Sequence, residues 1–230
     1  MARIARAVVP GIPHHVVQRG NRRLPTFFSS ADYQAYVDLM HRWCENCGVA
    51  IWAYCLMPNH VHLVAVPESE DALARAIGEA HRRYTQTVNA REGWRGHLWH
   101  GRFSSYVMDE PYLRTCVRYI ETNPVRAGLV SSPTDWPWSS AHAHAAQHDD
   151  AVVTVQPLLD IIAEPWTEFL AVEPGADDQN ALRRHERTGR PLGSPDFVDK
   201  IESRLGRLLR PQRTGRKPTR TAPHGRSLRP

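Results

Sequence analysis

Residues 49–66 force an antiparallel hairpin on whatever fold this chain adopts. Residues 49–57 are almost all apolar or aromatic, Pro58-Asn59 breaks the run, and residues 60–66 resume in strand alternation, as two strands joined by a tight turn would. A strand sends residues i and i+2 to one face, so His60 and His62 open the second strand as a pair pointing the same way. Two imidazoles aimed at one point make half of a metal site.

The flanking segments switch between strand and helix periodicity. Residues 14–19 (HHVVQR) alternate as a strand, and Gly20-Asn21 ends it with turn chemistry. Over residues 30–47, Tyr33, Tyr36, Val37, Met40, Trp43 and Cys44 recur at spacings of three and four; Ser30 can cap, and Gly48 lies where a helix stops. Leu73, Ile77, Ala80, His81, Tyr84 and Val88 keep helical spacing up to Gly93, and residues 98–108 read as a strand or two short ones. Asp109 and Pro111 start a third helix, whose stripe of Leu113, Cys116, Val117 and Ile120 runs until Pro124 stops it. The order β, α, β, β, α, β, α predicts an α+β fold of the ferredoxin-like, split β-α-β kind: an antiparallel sheet with helices on one face, plus a further helix at the end.

Residues 1–148 hold that pattern, and a hydrophobic content of 41% in 230 residues is enough for its core. Residues 149–206 carry an apolar segment at 152–162, a helical one at 166–172 and a capped helix through Phe197, Ile201, Leu205 and Leu208, and predict a small helical accessory region. Residues 207–230 hold eight basic residues and no acid, which leaves 21 basic against 24 acidic residues, a net of −3, over 1–206. Such a segment cannot bury enough apolar surface to offset its ordering entropy, so a disordered tail is expected, with Arg213, Arg216 and Lys217 contacting phosphate. The cysteines include one C-x-x-C pair, Cys44 and Cys47, but no second pair at zinc-finger spacing. No apolar run reaches 18 residues, and residues 7–9 are too short a run for a signal peptide, so a cytoplasmic chain with no membrane partner is expected.

Residues 119–130 (YIETNPVRAGLV) add the other parts of a possible reaction centre. Tyr119 and Asn123 stand four apart, which on a helix puts them on one flank, away from the apolar stripe. His60, His62 and the Asn123 amide would leave positions on an octahedral Mg²⁺ or Mn²⁺ for water and a phosphate, and Tyr119 would be the nucleophile of a phosphodiester cleavage. Asn123 precedes Pro124, where helical backbone is disfavoured, so it is expected at the helix end. Taken singly, each feature has an ordinary explanation: H-x-H on a strand is usually structural, and Tyr33, Tyr36, Tyr54, Tyr84, Tyr106 and Tyr112 compete with Tyr119. Arg19, Arg22, Arg23, Arg95, Arg102, Arg118 and Arg126 flank these blocks with Trp99 and Phe103 among them, as a grip on phosphates plus base stacking would require. Arg102 and Arg126, set inside the blocks, are the expected DNA contacts.

In this order, HHVVQRGN, LMPNHVHLV, GHLWHGRFSSYV, YIETNPVRAGLV and WPWSS resemble the IS200-like single-tyrosine transposases, specifically the REP-associated branch, over roughly residues 10–145. The resemblance implies that His60 and His62 are the metal ligands of an HUH motif, Asn123 the third ligand and Tyr119 the nucleophile. It implies an enzyme that uses Mg²⁺ or Mn²⁺ to cleave and rejoin single-stranded DNA near hairpins, repetitive extragenic palindromes among them, through a 5′-phosphotyrosine intermediate. It also allows a homodimer. Residues 183–216 look like the C-terminal extension of that branch. Two other readings remain: a host-adapted protein that binds hairpin DNA without cutting it, and a phosphodiesterase that uses water and leaves Tyr119 idle.

Overall fold

The computed structural model describes residues 5–211. Four strands, β1 (His14–Arg19), β2 (Val49–Met57), β3 (His60–Pro67) and β4 (Ser104–Val107), form one antiparallel sheet in the order β2-β3-β1-β4. Between them run α1 (Ser30–Cys47) and α2 (Ala72–Glu92), and α3 (Glu110–Glu121) follows β4. The expected order and sheet are therefore present. β3 and β1 lie in the middle, so the H-x-H pair stands on an inner strand, at the end where the β2–β3 turn enters it.

The two faces have different covers. On one, Val16, Ile51, Leu63 and Ala65 pack against α1 and α2 residues such as Tyr36, Met40, Ile77 and Tyr84. On the other, Ala53, Cys55, Val64 and Tyr106 meet Cys116, Val117 and Ile120 of α3. That second layer is completed by α4 (Asn123–Arg126), α5 (Ala141–Ala146), α6 (Gln156–Ile161), α7 (Trp166–Ala171) and α8 (Ala176–Thr188), with Leu158, Phe169 and Leu182 in the same core. The last helix, α9 (Pro195–Leu205), packs Ile201 on Ala7, Val9 and Val107. The C-terminal helices thus fill the face that α3 alone would leave open.

Local chemistry sets the element ends. Ser29, one residue before the expected cap, forms a reciprocal capping box with Asp32 at the start of α1, and Gly48 ends the helix in the left-handed region at φ 66°. The WPWSS segment covers the edge strand β2: Leu56 N–H donates to Trp138 O, Ser140 N–H to Tyr54 O, and the Trp136 indole to Leu56 O. Cys44 and Cys47 are buried free thiols on α1, as helix packing predicts. Leu209 is buried, and Arg210 is held by Asp199 and Glu202, so contacts to α9 extend into the first residues of the expected basic tail. Arg213, Arg216 and Lys217 lie outside the described residues. Among the described residues no helix is long and apolar enough to cross a membrane.

Candidate active site

The β1–β3 register builds the site. Arg19 stands opposite His60, Val17 opposite His62, and His15 opposite Val64 on β3 and Tyr106 on β4, so all these side chains share the α3 face. His60 follows the two-residue turn, and its Nδ1 lies 2.6 Å from Asn59 Oδ1. A carboxamide oxygen only accepts, so Nδ1 carries the proton and Nε2 keeps its lone pair. That Nε2 is 3.5 Å from the Asn123 amide nitrogen, and a half-turn of the amide brings its oxygen to the same place. The two imidazoles meet edge to face, with centroids 4.9 Å apart.

His62 is fully buried, and its Nε2 has no hydrogen-bond partner. Its Nδ1 pairs with His15 Nε2 at 3.0 Å, and His15 Nδ1 pairs with the Tyr106 hydroxyl at 2.8 Å. If Nδ1–H of each ring donates along this chain, the lone pair of His62 Nε2 points into the site. Burial pushes His60 and His15 down to about 3 and holds His62 well below the ordinary imidazole range, with Arg19 adding to the effect. Neutral rings with outward lone pairs are suited to a cation. Among the described residues there is no group of three or more His, Cys, Asp or Glu placed to hold a metal. What stands together here is two imidazoles and one amide, which could offer three donors.

Tyr119 packs against this pair, its ring edge-on to His62 with centroids 5.8 Å apart. The helix does not run on to Asn123: α3 ends at Glu121 and Asn123 opens α4, with Pro124 in the first turn of α4. Even so, Tyr119 and Asn123 both reach the histidines. The end of α3 is fixed by buried Glu121, which accepts from Ser140 Oγ at 2.5 Å, His144 Nδ1 at 2.7 Å and the Trp166 indole at 2.7 Å. The α7 helix and the WPWSS segment therefore hold the tyrosine helix in register.

The arginines divide into two sets. Arg126 stacks over the Tyr119 ring with its guanidinium carbon 4.3 Å from the centroid, and donates to Thr122 Oγ1 and Tyr119 O; it braces the tyrosine instead of facing outward. Arg118 is likewise committed, donating to Phe169 O. Arg102 lines a cleft of about 810 Å³ beside His60, with Arg19 and Arg23 and with Arg183, Arg184 and Arg187 of α8. One carboxylate, Glu186, faces them and pairs with Arg19 at 3.1 Å. Trp99 and Phe103, expected as stacking platforms, are core residues instead.

The sequence pattern brought out His60, His62, Tyr119 and Asn123, and these four converge. It missed His15, Tyr106, Asn59 and the arginines of α8. The alternation of residues 14–19 allowed either His14 or His15 on the site face, and only pairing with β3 chooses His15.

The family model described as "Transposase IS200 like" matches residues 8–123, just over half of the chain. A REP-associated tyrosine transposase of Haemophilus influenzae is 30% identical over 110 residues, 43% of this chain and 62% of that protein. One of Escherichia coli is 27% identical over 96 residues, 41% of this chain and 56% of that protein. The chain thus spans about three fifths of the length of the curated relatives it matches. A solved REP-associated tyrosine transposase bound to a REP hairpin superposes with a TM-score of 0.56 at 23% identity, covering 67% of this chain and 92% of that one, and shares the fold. With the H-x-H pair, Tyr119 and Asn123 assembled on one sheet face and the family model matched across them, the chain belongs to the IS200-like transposase family.

Proposed function

We propose that this protein is a metal-dependent transposase that cleaves and rejoins single-stranded DNA near hairpin sequences through a 5′-phosphotyrosine on Tyr119. The observation that carries this reading is the meeting of Tyr119 with His62, whose buried Nε2 is unpartnered, beside an arginine-lined cleft. An orphaned buried nitrogen costs about 1–3 kcal/mol, a cost that a cation would remove. His60, His62 and Asn123 would hold that cation, Mg²⁺ or Mn²⁺. When bound it would polarise the scissile phosphate and stabilise the departing 3′ oxygen.

The protein's own groups supply the rest. Arg102, Arg183 and Arg187 offer the cleft's charge to the phosphate backbone. The Tyr119 oxygen would form a bond to phosphorus as the bond to the 3′ oxygen breaks, the phenolic proton passing through water to that oxygen so that it leaves as a 3′-OH, and Arg126 holds a fixed positive charge against the tyrosine ring. The tyrosyl ester keeps the energy of the phosphodiester, so a free 3′-OH can reverse the step and join strands without a nucleotide cofactor. Tyr119 reaches the His62 of its own chain, which supports a centre assembled within one copy. The hairpin held by the structurally similar transposase supports hairpin DNA as the substrate class.

The test is incubation of the purified chain with labelled single-stranded hairpins from palindromic repeats, with and without Mn²⁺. Strand cleavage that EDTA abolishes is expected; tight binding with no cleavage under Mg²⁺ or Mn²⁺ would point instead to a hairpin-binding protein. A His15→Ala chain should stay folded and bind hairpin, yet hold Mn²⁺ about 10- to 100-fold more weakly by titration calorimetry, because His62 loses the partner that fixes its ring. Unchanged Mn²⁺ affinity would show that His15 does not orient His62.

A further inference from the structure

We infer that a second, apolar site beside the cleft stacks the unpaired bases of single-stranded DNA. Three of the six large hydrophobic side chains exposed among the described residues lie together: Leu24, Phe28 and Trp94, at 59%, 45% and 49% exposure. They line a hollow of about 280 Å³ that Arg22, Arg95 and His97 also line, with no acidic side chain in its wall. Phe28 and Trp94 meet edge to face with centroids 5.7 Å apart, so their faces are not stacked on each other. Exposed aromatic rings beside spare guanidinium groups are what a flexible polyanion with flat bases requires.

One turn of the chain links the wall of the hollow to the wall of the cleft. Arg22 and Arg23 both adopt the left-handed backbone region, at φ 54° and 62°, where non-glycine residues are costly. Arg23 lines the cleft at His60, while Arg22 lines the hollow. The turn is anchored to the hairpin beside His60: Gly20 N–H donates to Asn59 O, and the Asn59 amide donates to Arg23 O. A Cβ on Gly20 would come within 2.3 Å of Leu24 O, so only glycine allows this approach. Backbone strain thus sends two adjacent arginines into adjoining basins, as one strand passing from hollow to cleft would need.

This inference rests on the proposed action on DNA, and its test separates the two. The full chain is titrated, by fluorescence anisotropy, with a labelled hairpin that is blunt or carries single-stranded flanks of a few nucleotides. Trp94→Leu should weaken binding of flanked hairpins by about five- to a hundred-fold and leave the blunt hairpin and the melting temperature unchanged. Trp94→Phe, which restores a ring, should bind flanked hairpins nearly as the parent does. Equal affinity of parent and Trp94→Leu for flanked hairpins overturns the inference while the proposed function stands. Loss of self-association in Trp94→Leu with DNA binding intact overturns it in favour of a protein-facing patch. A parent chain that binds neither hairpin refutes both readings.

Discussion

A Tyr119→Phe chain is expected to bind hairpin DNA as tightly as the parent and to leave it uncut. Removing one hydroxyl keeps the ring that packs on His62 and carries the Arg126 guanidinium, so the helix, the donors and the cleft should persist. What is lost is the only oxygen on that side chain able to bond phosphorus. Loss of a nucleophile removes roughly a thousand-fold of rate or more, which places the remaining cleavage below detection in a gel assay. The same variant separates two mechanisms. If water were the attacking group, Tyr119→Phe would still cut, and the chain would be a phosphodiesterase with an idle tyrosine.

Acid should unfold the protein early, and two histidines that do not face the candidate centre, His14 on the other side of β1 from His15 and His81 on α2, give the reason. His14 and His81 are buried. Burial pushes His14 down to about 4, against the opposing backbone hydrogen bonds from Ile12, Ala7 and Ala65, and pushes His81 down to about 3. The unfolded chain takes up these protons near pH 6.5, whereas the folded chain does so only near pH 4 and 3. Stability contributed by the neutral rings is therefore whole above pH 6.5 and falls as pH drops toward those lower values, by on the order of 1 kcal/mol per ring per pH unit. Domains of this size have only about 5–15 kcal/mol in hand. Urea melts at pH 7.5, 6.5, 5.5 and 4.5 should give a midpoint that is level between the first two and declines steeply through the last two. A level midpoint down to pH 4.5 would mean that these rings are accessible to protons in the folded state.

Features of the candidate centre written in local periodicity were legible in the sequence. The hairpin over residues 49–66 fixed which face His60 and His62 share, and the spacing of Leu113, Cys116, Val117 and Ile120 put Tyr119 on a helix. Contributions that depend on pairing between distant segments were not legible. His15 reaches His62 only because β1 and β3 align in one register. The α8 helix buries Leu182 alone, so its sequence, ADDQNALRRHERT, carries no apolar stripe to announce it, yet it brings three arginines to the cleft. Aromatic residues among arginines misled in a similar way: Trp99 and Phe103 pack inside, while Phe28 and Trp94 stand outside. Composition alone does not say which side of a sheet or loop a ring will take.

The most direct measurement is the site of the covalent bond. The protein would be incubated with a labelled hairpin strand and Mn²⁺, denatured, digested with protease and nuclease, and the modified peptide sequenced by mass spectrometry. A nucleotide phosphate mass on Tyr119, absent from a His62→Ala chain, is the predicted result. Cleavage with no covalent adduct, or an adduct on another tyrosine such as Tyr112, would contradict it.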